Sequence, residues 1–100
     1  MNYQVYATNT FEELFPTLDG SEQLWIEKIK EKLEENPTGK ILHFNWFREK
    51  KYLNKRLYFL IDGETKKILL VAFASKKEQQ KVIDFIMVNM QELLSYLRSL

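Results

Sequence analysis

Apolar and polar residues alternate over residues 3–8 (YQVYAT), a β-rich stretch that predicts a first strand. Thr10 followed by Glu13 has capping-box spacing and predicts a short helix, which Pro16 limits. Asp19 with Glu22 repeats the signal. Beyond it Trp25, Ile26, Ile29 and Leu33 recur at helical spacing, with Glu and Lys on the other face. Asn36-Pro37-Thr38-Gly39 ends this second helix, because proline breaks the hydrogen-bond ladder and glycine tolerates a left-handed turn. Residues 40–47, 55–62 and 67–74 are rich in β-branched and aromatic side chains and predict three strands, with Asp62-Gly63 turning between the last two. Ser75 with Glu78 opens a long final helix striped by Val82, Ile83, Ile86, Met90, Leu93, Leu94 and Leu97. The predicted order is β-α-α-β-β-β-α: an α+β domain spanning 1–100 with a mostly antiparallel four-stranded sheet.

Strand parity assigns faces. Leu57, Phe59 and Ile61 share one face, as do Leu42, Phe44 and Trp46, and both sets are expected to meet the two N-terminal helices. The opposite face then carries His43, Asn45, Arg56 and Tyr58, a polar and aromatic surface. A register setting His43 opposite Tyr58 and Asn45 opposite Arg56 would join all four. The strand at 67–74 is apolar on both faces, which predicts a central position partly covered by the final helix.

Composition narrows the chemistry by exclusion. The absence of cysteine removes disulfides, thiolate metal sites and a cysteine nucleophile, and one histidine cannot build a multi-histidine metal centre. No Gly-rich phosphate loop, Ser-His-Asp set or cofactor motif is present. Neither a secretory leader pattern nor an eighteen-residue apolar run is found, so a soluble, cytoplasmic protein without membrane or metal is expected.

Charge changes the picture most. The formal net charge of +1 conceals a segregation: residues 40–81 hold eleven Lys or Arg against four acids, and the rest of the chain four basic against ten acidic side chains. Local potential, not the total, governs the approach of an anion. A guanidinium at Arg56 on an open sheet face can grip two phosphate oxygens, or it can pair with Asp62, Glu64 or a partner's carboxylate. Lys76 and Lys77 stand at a predicted helix start, where lysine opposes the dipole unless an anion is to be bound. Arg48, Lys50 and Lys51, with Tyr52 beside them, occupy a predicted loop near Lys55 and Asn45; basic side chains interleaved with an aromatic suit single-stranded RNA, and equally a solvated loop. His43 is a candidate general base, because histidine is the residue type suited to proton exchange near neutrality, though a lone strand histidine commonly just packs. Tyr58 can stack a base or fill the core.

The element order, with FREKKYLNKRLYFLID followed by KKILLVAFASKKEQQKVIDFI, resembles the RelE/ParE superfamily of toxins, and within it the RelE/HigB side. The motifs that carry the resemblance are Arg56-Leu57-Tyr58-Phe59-Leu60 and the basic Ser75-Lys76-Lys77-Glu78-Gln79-Gln80. It implies a metal-independent endoribonuclease that cleaves ribosome-bound messenger RNA, inhibits translation and is silenced by a cognate antitoxin. Arg56, Lys76, Lys77, Tyr58 and His43 become catalytic candidates, and Arg48, Lys50, Lys51, Tyr52, Lys55 and Asn45 RNA-binding ones. The chain departs from RelE at the C-terminal tyrosine, for Val82 and Ile83 occupy that region. The alternatives are a catalytically silent module binding RNA or an antitoxin, and a ParE-like gyrase inhibitor.

Overall fold

The computed structural model describes residues 2–100. The chain runs β1 (Gln4–Ala7), α1 (Asn9–Leu14), α2 (Gly20–Glu35), β2 (Lys40–Leu42), β3 (Phe44–Tyr52), β4 (Lys55–Asp62), β5 (Lys67–Ser75), α3 (Gln79–Val88) and α4 (Met90–Ser99). One-turn 3-10 segments, Phe15–Thr17 and Lys76–Glu78, follow α1 and precede α3. The expected α+β class holds. The strand at 40–47 is two strands, however, and the last helix is two helices joined at Asn89, which gives five strands in the order β1-β5-β4-β3-β2. Among the described residues only the β1–β5 pair is parallel.

The Asp19 capping box forms as the spacing requires: its carboxylate accepts from the Glu22 N–H at 2.8 Å, and the Glu22 side chain accepts from the Asp19 N–H at 3.1 Å. The Glu22 N–H, and after it the Ser21 hydroxyl, donate to the Asp19 carboxylate and hold its pKa below the ordinary value. The cap of α1 is Thr8, not Thr10, because the Thr8 hydroxyl reaches the Phe11 N–H at 3.1 Å while Thr10 is already helical. Ser75 caps no backbone donor, and the chain enters α3 through the 3-10 turn instead.

Each sheet face carries its own core. Leu57, Phe59, Ile68, Leu70 and Phe73 pack against Phe11, Ile26, Ile29 and Leu33 of the N-terminal helices. On the other face Phe47, Tyr58, Leu60, Leu69 and Val71 meet Ile83, Ile86 and Leu97. The expected faces of β4 are therefore correct, whereas those of the preceding strand are not. Leu42 and Trp46 pack on the C-terminal helices, and so does Phe47, which parity had placed opposite them. The reason is the break at His43, whose φ of 54° lets Leu42 pair with Phe44 across a tight reversal and interrupts the alternation. A register shift at Tyr58/Phe59 similarly brings both Val71 and Ala72 onto the second core.

β3 also runs further than expected. It continues through the charged Arg48-Glu49-Lys50-Lys51 run to Tyr52, which pairs with Lys55 across the two-residue turn Leu53-Asn54. That short turn fixes the register, so Glu49 rather than His43 faces Tyr58, and Lys51 rather than Asn45 faces Arg56.

Candidate nucleic-acid interface

The β3–β4 register and strand alternation decide which basic residues meet. Glu49, Lys51 and Arg56 share one face with Tyr58, and together with Lys40 of β2, the partner of Glu49, they line a depression of about 270 Å³. The Glu49 carboxylate is the hub. It is 5% exposed, and the Arg56 Nε lies 3.1 Å from its Oε2. Gln79, the first residue of α3, donates to Glu49 Oε1 at 3.1 Å from its side-chain amide. Arg56 thus turns Nε toward Glu49 as an ion pair, while neither of its terminal nitrogens has a hydrogen-bond partner among the described residues. The fork geometry of a guanidinium then leaves two donors for one more anion.

Lys76 and Lys77 are exposed and lie just past Ser75, the partner of Lys55 at the start of β4. They therefore stand at the same end of the sheet as Arg56, whose partner is Ala74. Neither lysine is ion-paired among the described residues.

The other sequence-chosen residues are divided. Arg48, Lys50 and Tyr52 alternate onto the face of the N-terminal helices, so they form neither a loop nor one patch with Lys51. The Arg48 guanidinium donates to the Asn45 carbonyl at 2.9 Å and to Asn45 Oδ1 at 2.7 Å, so each occupies the other. Lys50 donates to Thr38 Oγ1 at 3.0 Å, and burial, with the charge of Lys32, pulls its pKa down. Tyr52 packs on Trp25, with ring centroids 4.9 Å apart. Lys55 binds Glu22 at 2.7 Å and lies over the Phe73 ring. His43 sits exposed in the β2–β3 reversal, away from Tyr58.

Tyr58 is fully buried, which removes it from any open surface and from base stacking. Its hydroxyl has no hydrogen-bond partner among the described residues. Burial, and next the Glu49 carboxylate, push its pKa up, while the Arg56 charge pulls the other way. The second face is therefore not the open polar sheet that parity suggested. Ile83, Ile86 and Leu97 of α3 and α4 pack over Tyr58, Leu60, Leu69 and Val71, and the Glu49 depression is lined by Lys40, Lys51 and Arg56 instead.

Sequence reasoning overlooked Glu49 and Gln79. The only signal for Glu49 was its place as the single acid inside a basic run, and for Gln79 its place one turn beyond Lys76. Among the described residues no cluster of His, Asp or Glu could hold a metal ion, and no helix is long and apolar enough to cross a membrane.

No family model and no curated protein sequence matches this chain. Solved structures do. The toxin–antitoxin complex RelBE2 of Mycobacterium tuberculosis matches with a TM-score of 0.65 at 18% identity, over 76% of this chain and 100% of that one. A mutant of the E. coli toxin RelE in the free state gives a TM-score of 0.71 at 13% identity, over 86% and 99%. The RelE–RelB complex of Pyrococcus horikoshii gives 0.66 at 12% identity, over 76% and 97%. The chain has the fold of the RelE toxins, as its element order and basic motifs implied.

Proposed function

We propose that this chain is the toxin of a toxin–antitoxin pair and a metal-independent endoribonuclease acting on ribosome-bound messenger RNA. The observation that carries the reading is Arg56: on a RelE fold, its guanidinium pairs with Glu49 through Nε at 3.1 Å and lies beside Lys51 and Lys40. In this chemistry the ribose 2′-oxygen bonds to the adjacent phosphorus, the bond to the 5′-oxygen breaks, and the 2′ proton is lost as the leaving oxygen gains one. The free nitrogens of Arg56 grip the phosphate as its charge grows. Lys76 and Lys77 hold the RNA backbone and assist proton transfer. Glu49 is a positioning residue, since it acts through Arg56. The partner is an antitoxin, as in the RelBE complexes whose fold it shares, and the expected location is the cytoplasm.

Inducing the protein in cells and mapping messenger-RNA ends tests this. Wild type arrests growth and cuts messenger RNA, Lys77→Ala folds but cuts poorly, and Arg56→Lys fails because a point charge cannot replace the fork. Intact messenger RNA under wild-type induction overturns it. A second reading, RNA or antitoxin binding without cleavage, is favoured by the Glu49–Arg56 ion pair, which already neutralises the most buried cation of the depression. Salt-dependent RNA binding without cleavage would decide for it.

A further inference from the structure

The β3–β4 hairpin closes through Leu53 and Asn54, which stand between the paired Tyr52 and Lys55. Leu53 has a φ of 54°, and Asn54 does not share the positive φ. The first position of such a two-residue turn is a place for glycine, because a Cβ there crowds the backbone. Asparagine also tolerates that conformation, and leucine much less. The chain thus holds the better-suited residue one position too late. Leucine gains nothing from the fold in return, for it is 74% exposed and belongs to neither apolar core. A bulky apolar side chain kept both strained and in water points to a role other than stability.

Its surroundings are cationic. Lys51 stands two residues before it and Arg56 three after it, and both line the Glu49 depression. At about 3.3 Å per strand residue, Leu53 lies within roughly 10 Å of each along the hairpin. Lys76 and Lys77 follow Ser75, which pairs with Lys55 beside the same turn. Lys51, Lys76 and Lys77 are exposed and form no ion pair among the described residues. Of the acids at this end, Glu49 and Glu22 are engaged by Arg56 and Lys55, which leaves Glu78 beside the lysines. One leucine on a two-residue turn offers far less area than a protein interface needs, about 800 Å² per partner. It does fit the gap between two bases, where an apolar side chain can replace base–base contact, and the free lysines suit the flanking phosphates.

We propose that Leu53 is a wedge that inserts between two neighbouring bases of a single-stranded RNA whose phosphates lie on Lys51, Lys76 and Lys77. The proposal rests on the nuclease reading for the strand it engages, and adds the point at which that strand is opened. Arg56 addresses phosphate, so contact with bases falls to the hairpin tip. Parting stacked bases costs free energy, which burial of the leucine and the lysine–phosphate contacts offset. A side chain lying on base faces rather than edges reads no sequence, so steps that stack weakly are preferred.

The test uses the full chain and a 2′-O-methyl RNA oligonucleotide, which has no free 2′-hydroxyl to attack. It carries 2-aminopurine, a base that brightens on unstacking, at each position in turn. Wild type is expected to bind, by fluorescence anisotropy, and to brighten one step. Leu53→Gly relieves the turn and removes the wedge. Its urea midpoint therefore rises, while its RNA affinity falls about tenfold and the brightening disappears. Leu53→Asn loses affinity and brightening likewise, and Leu53→Met, apolar and unbranched, keeps both. Absence of RNA binding, binding without brightening, equal affinity for wild type and Leu53→Gly, or a lowered midpoint in Leu53→Gly overturns the proposal. So does a Leu53→Gly chain that loses self-association instead of RNA binding. Messenger-RNA cleavage in induced cells scores the nuclease reading apart. Cleavage that Leu53→Gly leaves unchanged refutes the wedge alone, whereas a wild type that binds and brightens the oligonucleotide without cutting messenger RNA refutes the nuclease alone.

Discussion

The Arg56 guanidinium meets the Glu49 carboxylate through Nε at 3.1 Å, with side-chain exposures of only 12% and 5%. Two adjacent strands therefore hold a buried ion pair whose cation still has donors to spare. Removing one partner strands the other charge in a site poor in water, at a cost of about 3 kcal/mol. Arg56→Ala and Glu49→Ala are each expected to lower stability by this order. The double variant loses less than the sum, which chemical denaturation in a double-mutant cycle measures. Additive losses would show that the pair contributes no coupling.

Tyr58→Phe is expected to leave stability unchanged or raise it by about 1 kcal/mol. The hydroxyl is buried without a partner among the described residues, so the native state bears its desolvation with no bond in return. Urea unfolding of the variant decides; a clear loss would mean that the hydroxyl is bonded in solution. The raised pKa of this tyrosine adds a pH effect. A folded pKa above the unfolded value leaves stability intact below about pH 10 and erodes it as pH rises further, and Tyr58→Phe removes that erosion.

Gly39 is where the α2–β2 connection presses onto the sheet. A Cβ there would lie 3.0 Å from the Glu49 carbonyl oxygen and 3.0 Å from the Phe59 ring. Backbone on one side and a fully buried ring on the other leave little room to yield. Gly39→Ala should cost about 1–3 kcal/mol through overpacking. Because the obstructing carbonyl belongs to Glu49, RNA binding should fall as well, which a filter-binding assay beside the melting curve would reveal.

Asp62 ties the C-terminal helix to the β4–β5 turn. Its Oδ2 accepts from the Thr65 hydroxyl at 2.6 Å and lies 3.4 Å from the Arg98 Nε. Burial alone would raise its pKa, but the Thr65 bond and then Arg98 outweigh burial, and the net shift is downward. A folded pKa below the unfolded value of about 3.9 means that the stabilisation is present above that pH. It disappears as pH falls through the folded value. Asp62→Asn should flatten the acid limb of the stability curve between about pH 5 and the folded pKa. An unchanged limb would assign acid sensitivity to other carboxylates.

Much of the secondary structure was legible because it rests on local rules. The Asp19–Glu22 capping box, the stop at Asn36-Pro37 and the two-sided apolar β5 each depend on residues within one turn or one strand. Errors arose where a local rule met a competing one. Alternation across residues 40–47 is broken by the positive φ of His43, a conformation that an L-residue adopts only when its surroundings impose it. The charged run 48–51 reads as a loop by composition. It is strand because the Leu53-Asn54 turn brings Tyr52 onto Lys55 and each side chain of the run finds water or a partner.

For the candidate site, the sequence by itself determined the ingredients: a basic segment, an arginine in a central strand, and two lysines where β5 turns toward a helix. It determined too that the near-neutral total hides a strongly segregated charge. Tertiary structure decided which of these cations meet. A change of register moves every side chain to a new partner, and the tight β3–β4 turn set Lys51 opposite Arg56 and sent Arg48 and Lys50 to the other face. It also supplied what the chain order conceals, a carboxylate from β3 and an amide from α3 converging on one point 30 residues apart in sequence. Ion pairing and burial depend on distances across strands, and those are fixed only once the sheet is closed by its helices.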